Sequence, residues 1–404
     1  MTITGLILLL FTSYIIFSVN KYHQHKAELL RGFEHRIHVN GIRGKSTVTR
    51  LIAASLREGK IKTIGKTTGT SARVILNHRK EIIIPRIEAD IAEQKKIIDQ
   101  YRKRGYQAAV FECMAINPIY QQYLEDKVMQ STIGVITNVR EDHVDMLGSS
   151  LAEIAHSLCR TIPRNGHLVT AETDETLLSI LRKDCRSKNT VLHAVGTMRI
   201  GEKQMAKFKH FEYKANVAIA VKVAQLVGVK RSVALSGMHK AMSDPGSFVL
   251  KKITRKNKTV HWANLFSIND RESFVLTSDI LCTKVRASAK RVVILNNRHD
   301  RPERVDQFVD IALNNVKADY IVTFGDYEKK VLRVVRSHPR GADVKVIHMG
   351  NDSSYKDYSG RQLFKSIVSS VDENEFVLFG AANIHTPQAL ELLGVLERRY
   401  VAAA

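Results

Sequence analysis

Nine consecutive residues, Val39-Asn40-Gly41-Ile42-Arg43-Gly44-Lys45-Ser46-Thr47, carry the strongest chemical signal in this chain. Two glycines spaced this way let the backbone close around an anion, with its amide hydrogens pointing inward. A lysine directly after the second glycine can pair with the terminal phosphates of a nucleotide, and the hydroxyl beside it can ligate magnesium. The candidate ATP ligands here are therefore Asn40, Gly41, Arg43, Gly44, Lys45, Ser46 and Thr47. The usual phosphate-loop pattern has a further glycine where Val39 stands, so this is an atypical version. An ordinary strand, turn and helix is the bland alternative. The Gly-Lys-Ser-Thr core in this local context argues against it.

A phosphate loop works between a strand and a helix, and the flanking sequence supplies both. Arg36–Asn40 reads as the strand, and a helical pattern follows from about Ser46 to Leu56. In a parallel sheet, ligands collect at the carboxyl ends of the strands. The run Ala108–Phe111 ends in Glu112, a carboxylate suited to holding magnesium between phosphates. The run Thr132–Thr137 ends in Asn138 and leads to Asp142, His143 and Asp145. A solitary surface histidine would mean little; this one shares a predicted site with the loop. Lys45, Glu112 and His143 are the candidate catalytic residues, and Ser46, Glu112 and His143 the candidate metal ligands.

The wider chain alternates short β-rich runs with helical patterns, as a mostly parallel sheet covered by helices requires. The run Gly166–Ala171 is a further strand, and Asn216–Val227 a helix that closes this part. A second alternation begins near residue 245, with strands expected at Thr259–Phe266, Arg291–Asn296, Tyr320–Phe324, Val344–His348 and Phe376–Phe379. The turn-forming cluster Asp244-Pro245-Gly246 marks the boundary. The expected layout is a hydrophobic helix at 1–20, an ATP-binding α/β domain at 21–244 and a smaller Rossmann-like domain at 245–404.

Composition narrows the partners. The chain has 404 residues and a formal net charge of +22, an excess that attracts polyanions. Nucleic acid is disfavoured, because no arginine-rich block or interleaved aromatic stripe is present. The four cysteines form no Cys-x-x-Cys pair, so neither a disulfide framework nor a zinc site is signalled. Thr4–Val19 is apolar and uncharged, and Lys21, Lys26 and Arg31 follow it. A cleaved signal peptide, a buried helix and a membrane anchor all fit such a stretch. The missing cleavage signal and the basic flank favour an anchor with the rest of the chain in the cytoplasm.

The order of these signatures resembles the Mur ligase superfamily, ATP-dependent amino-acid ligases. That family's short Gly-x-x-Gly-Lys-Ser/Thr-Thr loop, its strand ending in glutamate and its Thr-Asn-x-x-x-Asp-His-x-Asp run are matched by Thr137–Asp145 and the segments above. Asn216 matches the family's asparagine near the adenine. Within the superfamily the sequence is most similar to ligase subunits of poly-γ-glutamate synthases. The likeness runs through Lys66–Arg73, Arg86 before Glu88, Asn269–Ser273 and Asn297–Arg304. Two features depart from the pattern: His156-Ser157-Leu158-Cys159 stands where many members carry a carbamylated lysine, and Ser247 and Phe248 follow Pro245-Gly246 in place of an arginine.

The resemblance implies a reaction. A carboxylate is a poor acceptor for an amine until its oxygen is made a good leaving group. Transfer of the γ-phosphoryl group of ATP does this. It further implies that Asn269, Asp300 and Arg301 of the second domain help bind ATP, and that Thr68, Arg73, Arg86, Arg298 and Arg304 bind substrate carboxylates. Glutamate and its growing polymer, small transmembrane subunits, the membrane and further copies of the chain are the partners implied. The rival reading is a membrane-attached phosphate-loop ATPase that drives polymer assembly or export.

Overall fold

The computed structural model describes residues 11–18, 32–68, 72–77, 80–84, 92–198, 200–208, 210, 212–242, 250–255, 257–266, 268, 270–349, 359–383 and 386–398. The chain divides into two compact units, Met1–Ser247 and Phe248–Ala404. Half of the apolar stretch Thr4–Val19 lies outside the described residues, as do Arg86, Asn269 and the boundary cluster at residues 244–246. Residues 11–18 are helical. No described helix is long and apolar enough to cross a membrane.

The first unit is built on strands β1 (His35–Asn40), β2 (Thr63–Thr67), β3 (Arg73–Ile75), β4 (Glu81–Ile83), β5 (Ala108–Glu112), β6 (Ile133–Ile136), β7 (His167–Thr170) and β8 (Val191–Ala194). Their order in the sheet is β4-β3-β2-β5-β1-β6-β7-β8. All pairs are parallel except β2 with β3 and β3 with β4. β1 alternates its side chains between two layers. Ile37 and Val39 face the helix Lys45–Glu58, which is itself packed by the helices Lys214–Leu226 and Arg231–His239. His38 and Asn40 face the opposite layer, where residues 118–129 and 151–161 lie. Every residue from Val48 to Leu56 is buried, so this central helix has no solvated face. Each large apolar side chain it buries contributes about 1.5–3 kcal/mol.

The second unit holds β9 (Leu250–Arg255), β10 (Lys258–Asn264), β11 (Lys290–Asn297), β12 (Tyr320–Gly325), β13 (Lys345–His348) and β14 (Glu375–Ala381). The order is β13-β12-β11-β14-β10-β9, parallel apart from β9 against β10. Two apolar clusters cover its two faces. The strand pattern read from sequence matches β10 to β14 within a few residues. It misses β2 to β4, β8 and β9. These are edge strands, three-residue pieces or strands carrying lysine, and they lack the uninterrupted apolar run that marks a central strand.

Candidate functional site

β1, β5 and β6 run parallel and adjacent, so their carboxyl ends meet on one edge of the sheet. The loop leaves β1 there. Gly41 has φ +121°, and a Cβ on it would stand 2.1 Å from the Thr137 hydroxyl. Gly44 has φ +81° and lies so close to Asn216 that a Cβ would meet its Oδ1 at 2.8 Å. Both positions therefore demand glycine. The end of β6 clamps the loop between them. The Thr137 hydroxyl donates to the Arg43 carbonyl at 2.7 Å, and the Arg43 amide donates to Asn138 Oδ1 at 3.0 Å. Arg43 also pairs with Asp142 at 3.3 Å.

Gly44 caps the helix that follows, and no side chain satisfies its first amides. Those donors and the positive end of the helix suit a phosphate. Lys45 Nζ donates to the Gly41 carbonyl at 2.7 Å, bridging the loop it belongs to. The Ser46 hydroxyl donates to Glu112 Oε2 at 2.8 Å, and the Thr68 amide donates to the same oxygen at 2.7 Å. Gln94 Nε2 fixes the Glu112 carbonyl at 2.8 Å. The side chain of Glu112 is thus held by two segments that the sequence places far apart. Thr47 lies in the first turn of the helix beside them, half-buried.

The other expected residues are placed as follows. His143 has φ +47°, and its side chain is half exposed, 3.9 Å from Asp142. Ser46 and Glu112 bond to each other and Thr68 bonds to Glu112; among the described residues there is no hydrogen bond from either to His143. Among the described residues, no cluster of three or more His, Cys, Asp or Glu is arranged to hold a metal. Asn40 departs from the expectation of a nucleotide ligand, because its side-chain amide donates to Gln121 at 2.9 Å and to Thr161 at 3.1 Å beneath the loop. The alternation of β1 sends it into the opposite layer with His38. Asn216 lies against Gly44, at the phosphate loop. His156, in the segment that lacks the family lysine, is exposed and stands 3.8 Å from Asp184.

The layer beneath the loop is polar and closed. His38 Nδ1 and Glu125 Oε2 are 2.8 Å apart, both fully buried, and Ser131 gives Glu125 Oε1 two further bonds of 2.8 Å. Burial opposes a charge on His38, but Cys113 and Glu125 outweigh it and push its pKa up to about 10.

The expected arginines among the described residues are engaged. Arg73 pairs with Glu81 at 3.1 Å, and Arg50 shares the same carboxylate. Arg298 grips Asp300 through two bonds of 2.9 and 2.7 Å, which holds that carboxyl below the usual range. Arg301 stands 3.9 Å from Asp300. Arg304 donates to the Ala382 carbonyl at 3.0 Å and to Asn383 Oδ1 at 2.7 Å. The ends of β11 and β14 are cross-linked by Asn296 Nδ2 to the Asn383 carbonyl at 2.6 Å and Asn383 Nδ2 to the Asn296 carbonyl at 3.0 Å.

Comparison with known proteins places this arrangement. Residues 39–242 match the Mur ligase middle domain, and residues 249–399 match the poly-gamma-glutamate synthase CapB C-terminal domain. A PGA synthase CapB of Bacillus subtilis is 33% identical over 87% of this chain and 87% of its own length. The chain belongs to the poly-gamma-glutamate synthase family of Mur ligases. A capsule biosynthesis protein CapB of Bacillus anthracis is 36% identical over 72% of this chain, a match that spans 63% of that protein. E. coli FolC in complex with DHPP and ADP shares the fold, with TM-score 0.62 at 11% identity over 93% of this chain and 92% of that one.

As a Mur ligase, the chain is an ATP-dependent ligase. Several groups at the carboxyl edges of the two sheets carry no local sequence signal. Gln94, Gln121, Thr161, Asn296 and Asn383 sit in unremarkable stretches, and each meets its partner only through the fold. A polar residue at an inward position of a strand, as at His38, Asn40 and Asn296, was the available clue. Such a residue must find a partner when buried.

Proposed function

We propose that this chain is the ATP-dependent amide ligase of poly-γ-glutamate capsule synthesis. It activates a γ-carboxylate as an acyl phosphate, then joins it to the amine of glutamate and releases ADP and phosphate. The observation that carries the reading is the convergence of Ser46 Oγ and the Thr68 amide on Glu112 Oε2 at the mouth of a strained phosphate loop. The names of the relatives and of the family support the polymer.

In the first step a carboxylate oxygen attacks the γ-phosphorus of ATP, and the bond to the β-phosphate oxygen breaks. The loop amides and Lys45 neutralise charge on the transferred group. Lys45 must exchange the Gly41 carbonyl for phosphate oxygens, a short movement because that carbonyl lines the same loop. Asn138 and Thr137 keep the loop from collapsing when phosphate leaves. In the second step the amine nitrogen attacks the acyl carbon, the carbon–oxygen bond to phosphate breaks, and the amine loses a proton. Orientation supplies much of this rate, since the reactants are held together instead of meeting by diffusion.

Magnesium fits the donors present, because Ser46 and Glu112 offer two adjacent oxygens of the hard type this ion prefers. When bound, it would neutralise charge between the β- and γ-phosphates. His143, half exposed beside Asp142, is proposed as an orienting group for substrate at the same edge of the sheet. The polymer's carboxylates would compete with the carboxylates now held by Arg73 and Arg298.

The place of work is proposed to be the cytoplasmic face of the cell membrane, with small transmembrane subunits and further copies of the chain as partners. The apolar run Thr4–Val19, the basic residues after it and the exposed Phe11, Tyr14, Ile16 and Phe17 support this. The deciding experiment supplies ATP, magnesium and labelled glutamate to membranes containing the chain and its partners. A γ-linked polymer with ADP and phosphate is expected, and hydroxylamine should divert the acyl phosphate to a hydroxamate. AMP and pyrophosphate would mean adenylation, and hydrolysis indifferent to glutamate would mean a motor.

A further inference from the structure

A cavity of about 920 Å³ opens on the far edge of the first unit's sheet, between β8 and the helix Lys214–Leu226. Its walls include Leu192, Val195, Ile200 and Val221, and three basic groups face it: His193, Lys222 and Arg231. Among the described residues, none of those lining it is acidic. Arg231 donates to Gln204 Oε1 at 3.0 Å. Lys222 is half-buried, and no ion pair involves it among the described residues. His193 Nε2 and His167 Nδ1 stand 3.1 Å apart, within hydrogen-bond distance. Burial, then Lys222 and His167, hold His193 below the usual histidine range. That leaves His193 a neutral hydrogen-bonding group, and the positive charge at these apolar walls comes from Lys222 and Arg231, which together attract an anion.

We propose that this cavity binds a segment of the anionic polymer product, as a holding site separate from the Ser46–Glu112 centre. The inference rests on the polymer assigned under Proposed function. A γ-linked glutamate chain alternates a short methylene spacer with a free α-carboxylate. That alternation matches walls of Leu, Val and Ile interrupted by Lys222, His193 and Arg231. The distance also suits a chain tethered at the reacting end. β8 lies three strands from β1, roughly 14 Å at the usual strand spacing. Lys222 lies two turns along the helix whose first turn holds Asn216 against Gly44, roughly 9 Å by helical rise. A growing chain held here stays near the loop between additions, which raises its local concentration and favours elongation over new starts.

The test measures binding of a defined oligo-γ-glutamate to the full chain by calorimetry, beside α-linked oligoglutamate, ADP and inorganic phosphate. Lys222→Glu is expected to weaken the γ-linked oligomer about tenfold or more, with ADP affinity and thermal midpoint unchanged. Lys222→Gln, which keeps the stem and loses the charge, should fall between wild type and Lys222→Glu. In turnover assays Lys222→Glu should shorten the polymer while sparing the first bond formed. Unchanged oligomer affinity in Lys222→Glu overturns the proposal. So does a parallel loss of ADP or phosphate affinity, which would assign the cavity to the nucleotide. Equal loss for the α-linked oligomer would reduce it to a general polyanion patch and overturn the product assignment. If wild type ligates glutamate but binds no oligomer, the holding site falls and the ligase reading stands. If oligomer binding depends on Lys222 but no ligation is found with partners present, the reverse holds.

Discussion

The carboxyl edges of the two sheets are organised on opposite principles. At the first, the functional groups are mostly backbone: loop amides, carbonyls of Gly41 and Arg43, and the amide of Thr68, with side chains of Ser46, Glu112 and Asn138 pinned to them. At the second, side chains do the holding: Asn296 and Asn383 each donate to the other's backbone carbonyl, Arg304 donates to Asn383 Oδ1, and Arg298 donates to Asp300. A backbone cradle needs glycine at fixed positions, so it leaves a legible motif. A web of amide side chains can be assembled from any strand ends that meet, so it leaves none. The difference predicts that damage at the first edge stops chemistry, while damage at the second loosens structure and substrate fit.

The sharpest way to break this contrast is Lys45→Ala. Ligation should fall by at least about 10³-fold with the circular-dichroism spectrum intact, since the residue acts on charge that develops in the reaction. Retained activity would remove the loop from the mechanism. His38→Phe probes the layer beneath. It leaves Glu125 buried without its counter-charge and should cost about 3–5 kcal/mol in urea unfolding. The pH dependence follows from the raised pKa of His38. The pair's contribution is full below the unfolded value of about 6.5 and is lost as pH climbs toward about 10. The gap between wild type and His38→Phe should therefore narrow with rising pH; a widening gap would contradict a charged His38.

Glu112→Gln should lower turnover about 10²-fold and weaken the response to magnesium in steady-state assays, with little change in stability. At the other edge, Asn383→Ala removes bonds to Asn296 and Arg304 and should cost about 1–3 kcal/mol by thermal or urea unfolding. Its effect on turnover should appear mainly in KM for glutamate. A collapse of kcat equal to that of Lys45→Ala would erase the distinction between the two edges.

Much of the first edge was readable in advance because its parts are local. Gly41 to Thr47, the glutamate ending β5 and the Thr137-Asn138 pair ending β6 each announce themselves within a few residues. Asn40 shows the limit. It adjoins the loop in sequence, yet strand alternation turns it away to Gln121 and Thr161, which lie 81 and 121 residues further on. Arg73 was an attractive carboxylate clamp until β4 brought Glu81 alongside it. β4 itself, three residues long, carries too little pattern to be seen. The basic residues around the β8 cavity were passed over for the same reason: His193 belongs to an inconspicuous edge strand and Lys222 to the helix beside it.

The amino-acid sequence alone determined the phosphate loop, the alternation of strands and helices, the excess of positive charge and the family to which these belong. Those properties live in short spacings and bulk composition, where one residue's type constrains its neighbours directly. Only the tertiary structure decided which arginines are already neutralised, which cations remain available, and what holds Glu112 at the loop. Each of those depends on electrostatic and hydrogen-bond partners at contact distance, and contact between distant residues is created by the packing of the sheet.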